Sequence, residues 1–353
     1  MEVQQTLFEN PPIERAGQYP RFRYMGSKHK LLSWISHALK DLSFETALDG
    51  FSGSGAVSYL LKTMGKSVTS NDFLHFSHIL TRATVENNHI TLDDKDMESL
   101  LTPHSGRKDF IQKTFKGIFF TPEDLLFLDN TYAQISEFSN PYKKSLALTC
   151  LIRACVKKQP RGVFTVSGDL SNYNDGRRDL RISMKQHFTE QINLFNELIF
   201  DNGHTHYSIN QDIFAIENPE AYDLVYLDPP YVPRSDDNCY VKRYHFLEGL
   251  SKYWEKEEIL YDTKVHKIKK KYTPFSYRSK AVEAFDRMFD LFRSSIIVLS
   301  YSSNGYPHLK ELTSLLGKHK KEVFVLEKDH QYHFGNHKKV TRSKVKEYLI
   351  IGK

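Results

Sequence analysis

Cysteine is scarce in this chain: three in 353 residues, at 150, 155 and 239, with no CxxC pair. That argues against a disulfide framework or a zinc ribbon. No apolar stretch is long enough to span a bilayer, and the amino terminus lacks the build of a signal peptide, so a reducing, cytoplasmic setting is expected. Internal repeats and low-complexity tracts are absent. The glycine loop at 50–55 lacks the third glycine of the dinucleotide fingerprint, which counts against a nicotinamide-dependent oxidoreductase. What is present is a composition of 40% hydrophobic and 26% charged residues, in a chain long enough for a substantial core and two lobes.

The formal charge of +6 is unevenly spread. Lys264 to Lys280 carries seven Lys or Arg and no acid, with Lys269, Lys270, Lys271 and Arg278 at its centre. Arg153, Lys157, Lys158 and Arg161 form a second acid-free cluster, and Lys338 to Lys346 a third. Basic segments interleaved with Tyr and Phe suit a phosphate backbone and unstacked bases, so these eight side chains of the first two clusters are the expected DNA contacts. A non-catalytic DNA-binding module would explain the charge equally well. His330, His333 and His337 have the spacing of metal ligands, but with Tyr332, Phe334 and Lys338 among them they read better as a basic loop near DNA, and no metal site is expected.

Residues 1–20 are polar and proline-bearing and read as a mobile arm. Helical spacing over Leu31–Leu39 is followed by a strand at Glu45–Asp49, a glycine loop, a helix over Ala56–Lys62, a strand at Val68–Ser70 and a helix over Leu74–Asn87. This is the opening half of a doubly wound α/β nucleotide-binding sheet. From 96 to 199 the alternation stops, with one clear helix at Tyr142–Val156, and this stretch reads as an inserted, mainly helical lobe. Strands resume at Thr205–Asn210, Tyr222–Leu227, Ser294–Ser300, Glu322–Leu326 and Val345–Ile351. Several are near-continuous apolar runs, as strands covered on both faces should be.

The most specific feature is Asp228-Pro229-Pro230-Tyr231, set directly behind Leu224–Leu227. It places a carboxylate at a strand's C-terminal end, where α/β proteins bind ligands. Proline removes donors and stiffens the turn, leaving its carbonyls free to accept. A carboxylate, a free carbonyl and a ring that can stack suit an exocyclic amino group on a nucleobase. Upstream, Phe51, Gly53 and Gly55 form a strand-to-helix loop, weak evidence alone. Asp72, at the end of the second strand, is placed to bind ribose hydroxyls, although capping the next helix is the plain alternative. Asp212 follows the third strand and is suited to an adenine amino group, or again to a helix cap.

Tyr24-Met25-Gly26-Ser27-Lys28, then Phe51-Ser52-Gly53-Ser54-Gly55, then Asp72, then a lobe, then Asp228–Tyr231 is an ordered set. It resembles the S-adenosylmethionine-dependent DNA adenine-N6 methyltransferases, specifically the alpha-ordered group that includes the bacterial GATC methylases. The resemblance implies a Rossmann-like methyltransferase sheet at 21–95 and 200–353, which binds S-adenosylmethionine. It implies a target recognition domain at 96–199, with 232–285 as an additional DNA-contacting insert. It implies cofactor contacts from Tyr24, Lys28, Phe51, Gly53, Gly55, Asp72, Asp212 and Asp228, and catalysis by Asp228, Pro229 and Tyr231 on a flipped-out base of double-stranded DNA. No metal is implied. Tyr24 replaces the usual Trp of the GATC enzymes, and the lobe matches none of their motifs. N4-cytosine methylation, which more often has Ser at the position of Asp228, and methylation of RNA or of protein glutamine, with Asn there, stay open. A cognate restriction endonuclease is a further partner that the resemblance suggests. Gln4-Gln5-Thr6-Leu7-Phe8 looks like the peptide by which bacterial proteins dock on the replication sliding clamp.

Overall fold

The computed structural model describes residues 11–160, 162–165, 176–232, 239–332 and 343–353. Helices α1 (Pro11–Gln18) and α2 (Leu32–Lys40) precede β1 (Thr46–Asp49), α3 (Ala56–Thr63), β2 (Ser67–Asn71) and α4 (His75–Thr81). Then comes an all-helical stretch: α5 (Asp94–Leu101), α6 (Phe110–Thr114), α7 (Pro122–Glu137), α8 (Pro141–Lys158), α9 (Arg178–Arg181) and α10 (Met184–Leu198). Strands β3 (Tyr207–Ile209) and β4 (Leu224–Leu227) follow, with α11 (Tyr240–Leu250) and the two-stranded ribbon β5 (Ile259–Leu260) and β6 (Lys267–Ile268). Helix α12 (Arg278–Leu291), β7 (Ile296–Ser302), α13 (Leu309–Leu316), β8 (Val323–Tyr332) and β9 (Ser343–Gly352) complete the order.

Seven strands form one sheet in the order β3-β2-β1-β4-β7-β9-β8. All neighbours are parallel except β9, which runs antiparallel between β7 and β8. The chain steps outward from β1 to β3 and then returns to lay β4 against the other side of β1. Ligands of open α/β sheets bind at such a reversal, at the carboxyl ends of the strands. The register sets Asp49 opposite Tyr226, so the ends of β1 and β4, and with them Asp49 and Asp228, lie side by side. Strands β4 and β7 are buried almost throughout, which explains their apolar runs.

Each expected strand is present, although β8 runs six residues past its expected end. The expectation of a mobile arm fails for its second half. Pro11 and Pro12 open the first turn of α1, where a missing N–H costs nothing. Ala16 and Tyr19 are buried, and the Tyr19 hydroxyl donates to the Ser54 carbonyl at 2.8 Å. The Gln4–Phe8 peptide lies outside the described residues. The expected helix after β2 continues from α4 as a π-helical turn over Arg82–Glu86. Buried Lys62 donates to the Val85 and Asn87 carbonyls there.

The inserted stretch is mainly helical, as expected, but it does not hang apart from the sheet. Leu128 of α7, Leu151 of α8 and Phe188 and Phe195 of α10 share one hydrophobic core with Leu60 of α3 and Phe76 and Leu80 of α4. The Tyr59 hydroxyl of α3 donates to the Leu198 carbonyl that ends α10. No helix among the described residues is long and apolar enough to cross a membrane.

Candidate active site

At the β1–β4 reversal lies a cleft enclosing about 860 Å³, including the space at its mouth. Its walls bring together residues far apart in sequence: Tyr24 and Lys28, Phe51 and Gly53, Asp72, Asp228 and Pro230.

The glycine loop leaves β1 and enters α3 through two left-handed residues. Gly53 has φ +50° and Gly55 φ +80°, conformations that L side chains rarely adopt. A Cβ on Gly53 would stand 2.9 Å from the Tyr24 ring, and one on Gly55 would stand 2.6 Å from the Tyr19 hydroxyl. Gly55 thus shapes the turn without lining the cleft. The Gly53 N–H donates to Asp72 Oδ2 at 2.7 Å, and the Leu74 N–H to Oδ1 at 2.8 Å. Asp72 ties β2 to the loop and turns the chain toward α4 through the Leu74 N–H, but it does not cap that helix, which has no side-chain cap. Burial pushes its carboxyl up to about 7 despite those two donors.

Asp49 ends β1 and is 1% exposed. The Ser58 hydroxyl donates to its Oδ2 at 2.6 Å, while Oδ1 is buried without a hydrogen-bond partner among the described residues. Burial pushes this carboxyl up to about 7, with Asp228 and Asp72 adding to the rise. The Ser27 and Ser52 hydroxyl oxygens, also on cleft residues, are likewise buried and unsatisfied among the described residues. A cleft wall with three such oxygens is built for a polar ligand.

Lys28 is buried and sets its Nζ 3.0 Å from Asp228 Oδ1 and 3.8 Å from Glu347 Oε2. Burial pushes Asp228 up to about 6, against the pull of Lys28 and with Glu347 adding to the rise. The carboxylate is therefore mostly ionised at neutral pH. Tyr24 stacks on Tyr244 of α11, centroids 4.9 Å apart and planes at 6°. The Met25 N–H donates to the Tyr244 hydroxyl at 2.7 Å, which fixes the Tyr24–Lys28 segment. Tyr240 lines the cleft next to Gly26. Tyr231 packs on Tyr301 at 5.2 Å, and Pro229 is buried. Neither lines the cleft itself.

Several expectations need correction. Asp212 does not line the cleft; it caps the short helix Ile213–Ala215 by accepting the Phe214 N–H. Arg153 is not a phosphate ligand: its guanidinium is buried, donates to the Arg21 carbonyl at 2.8 Å and stacks on Phe22 at 5.0 Å. Burial lowers its pKa to about 10. Lys157 pairs with Asp179 at 2.8 Å, and Lys158 donates to the Ile182 carbonyl at 2.6 Å. Asp179, and Asp124 at 3.7 Å from Lys158, lie far from these lysines in sequence, so two cations of a cluster without local acids nonetheless meet carboxylates. Arg161 lies outside the described residues, as do His333 and His337. In the Lys264–Lys280 cluster Lys269 pairs with Glu258 and Lys271 with Glu257, both at 2.7 Å, while Lys270 stands over Tyr272 and Arg278 over Tyr306. Lys271, Thr273 and Ser276 line the cleft, so this basic segment closes the ligand site.

The sequence reading missed Asp49, Tyr240 and Glu347, and it assigned Lys271 to DNA rather than to the cleft wall. Asp49 could have been found by the strand-end rule already applied to Asp72. Glu347 had a signal too: an acid beside the apolar run Leu349–Ile351. Tyr240 and Lys271 had none, because their places depend on how the chain after Tyr231 folds back.

A mostly parallel sheet with one antiparallel strand inserted, and a cleft at its reversal lined by Lys28, Asp49, Asp72 and Asp228 beside an Asp-Pro-Pro-Tyr turn, define an α/β methyltransferase. Comparison narrows the class. A model of the D12 class N6 adenine-specific DNA methyltransferases matches residues 24–315. The chain is 30% identical over 329 residues to the type II methyltransferase M2.HphI of Haemophilus parahaemolyticus, covering 89% of this chain and 93% of that one. It is 26% identical over 319 residues to M.NlaIII of Neisseria lactamica, covering 84% and 89%. With M.FokI of Planomicrobium okeanokoites the identity is 25% over 320 residues, 84% of this chain and 47% of that longer protein. The chain belongs to the D12 class of N6 adenine-specific DNA methyltransferases, and its activity is site-specific methylation of adenine in DNA.

Proposed function

We propose that the cleft binds S-adenosylmethionine and that Asp228, with the turn behind it, receives the N6 amino group of a flipped-out adenine. The observation that carries this is the meeting in one cleft of Tyr24, Lys28, Phe51, Gly53, Asp72 and Asp228, with Lys28 3.0 Å from Asp228. The donor set fits the cofactor. The unsatisfied Asp49 Oδ1 suits an ammonium group, and Asp72 retains lone pairs for ribose hydroxyls. Phe51 and Tyr24 offer apolar surface to a purine. Bare Gly53 leaves the room that a Cβ would fill. When bound, S-adenosylmethionine supplies an electrophilic methyl group.

The protein's task is to make N6 a nucleophile, because its lone pair is delocalised into the ring. Asp228 accepts one N6 hydrogen bond and the Pro229 carbonyl a second, drawing electron density to the nitrogen. Holding both reactants in line contributes ~7–11 kcal/mol. Extruding the base costs a few kcal/mol. Stacking on Tyr231 offsets ~1–3 kcal/mol of that. The helical stretch 96–199 and the ribbon-bearing segment 232–285 are proposed to read and grip the DNA, with Lys269, Lys270 and Arg278 on phosphates. A cognate restriction endonuclease is proposed as a partner on the strength of the resemblance alone.

Gly53→Ala tests the cleft assignment. A Cβ there meets Tyr24, so S-adenosylmethionine binding by calorimetry should weaken by about tenfold or more while DNA affinity stays unchanged. Unchanged cofactor affinity would refute it.

A further inference from the structure

Glu347 belongs to none of the motifs, yet it stands directly behind the Lys28–Asp228 pair. It lies on β9 with no exposed surface, and its Oε2 is 3.8 Å from Lys28 Nζ. In register it opposes Ser302 of β7 and Lys328 of β8. Burying a carboxylate costs several kcal/mol unless a partner compensates. A sheet that needed only packing here would carry an apolar residue, as Leu349 and Ile351 do on the same strand.

We propose that Glu347 is a positioning residue for methyl transfer, sharing Lys28 with Asp228 so that the ammonium is not spent on the acceptor carboxylate alone and negative charge faces the nitrogen being methylated. The proposal rests on Asp228 being the N6 acceptor. As the N6 lone pair forms the new N–C bond, the departing S–C pair returns to sulfur and N6 gains positive charge until it passes a proton to the Asp228 carboxylate that accepts its hydrogen bond. Fixed negative charge at that point favours the transition state over the ground state. Lys28 facing Asp228 alone would give a neutral pair and a carboxylate already satisfied at 3.0 Å. With Glu347 drawing on the same ammonium, Asp228 keeps its basicity. Asp228 also feels Asp49, Tyr226 and Tyr240.

The test is Glu347→Gln, which keeps shape and removes charge. Carboxyl titration of the cofactor-free protein by infrared difference spectroscopy, with Asp228→Asn to assign the band, should move Asp228 down by about one pH unit. That is the size expected of a unit charge no more than ~7 Å away at an effective dielectric of ~20–40. Turnover should fall about tenfold or more with KM for DNA unchanged. An unmoved Asp228 titration, or wild-type turnover, would overturn the proposal. Should the Gln variant not fold, Glu347→Asp decides: it retracts the charge by one methylene, and a smaller shift in the same direction with reduced turnover is expected, no change being contrary. If Asp228→Asn itself stays active, the acceptor assignment fails; if it is dead and Glu347→Gln behaves as wild type, only the role of Glu347 fails.

Discussion

Replacing Lys28 by methionine probes the charge arrangement from its centre. The side chain keeps its length and apolar stem but loses an ammonium 3.0 Å from Asp228 and 3.8 Å from Glu347. At 3.0 Å a unit charge acts on a carboxylate with roughly 3–5 kcal/mol at an effective dielectric of ~20–40, or about 2–4 pH units. Asp228 keeps 19% of its side chain exposed, so water replaces part of the lost charge and the lower end applies. Burial already holds Asp228 at about 6 with Lys28 in place. Without Lys28 it should titrate near ~8. Because the ionised form accepts from N6, the acid limb of the rate profile should move from about 6 to ~8. Activity at pH 7.5 should fall by about fourfold and return almost fully at pH 9. Losing the cation that Asp228 and Glu347 share should also lower the melting temperature. The assay is initial-rate methyl transfer to DNA between about pH 5.5 and 9.5, with Lys28→Arg as the charge-retaining control. An acid limb still near 6 in the methionine variant would refute the reasoning.

Asp49 should trade stability for binding. Its folded pKa of about 7 lies above its ordinary 3.8, so the proton it holds favours the fold below about pH 4, and that stability is lost as pH rises to 7. Asp49→Asn should therefore raise thermal stability at pH 8 by the order of 2–4 kcal/mol and change little at pH 4, while S-adenosylmethionine affinity drops; equal effects at both pH values would contradict this. The two basic clusters should separate by salt dependence. Lys269→Ala and Lys270→Ala should each reduce the slope of log K against log salt for DNA by up to about 1. Arg153→Ala should lower the melting temperature and leave that slope unchanged, and a slope change there would restore Arg153 as a phosphate contact.

Much of this was legible because local chemistry declared it. The apolar runs at Leu224–Leu227 and Ile296–Ser300 could only be covered strands, and a strand ending in Asp228 could only deliver a carboxylate to the sheet's ligand edge. Glycines at 53 and 55 marked a tight turn, and the geometry supplies the reason each is glycine. What failed was whatever depended on distant partners. Arg153 and Lys158 lacked acids nearby in sequence, yet the fold brings them carbonyls from Arg21 and Ile182. Asp212 obeyed the same strand-end rule as Asp72, but a three-residue helix turned its carboxylate to a cap. Glu347 belongs to a strand inserted antiparallel from the far end of the chain. No spacing rule links it to Lys28, 319 residues earlier.

The most direct test is methyl transfer by Asp228→Ala. The variant should bind DNA as the wild type does and transfer no measurable tritium from S-adenosylmethionine to adenine, because N6 has lost its acceptor. Transfer at the wild-type rate would show that the carboxylate in the cleft does not act on adenine and that its pairing with Lys28 serves the fold alone.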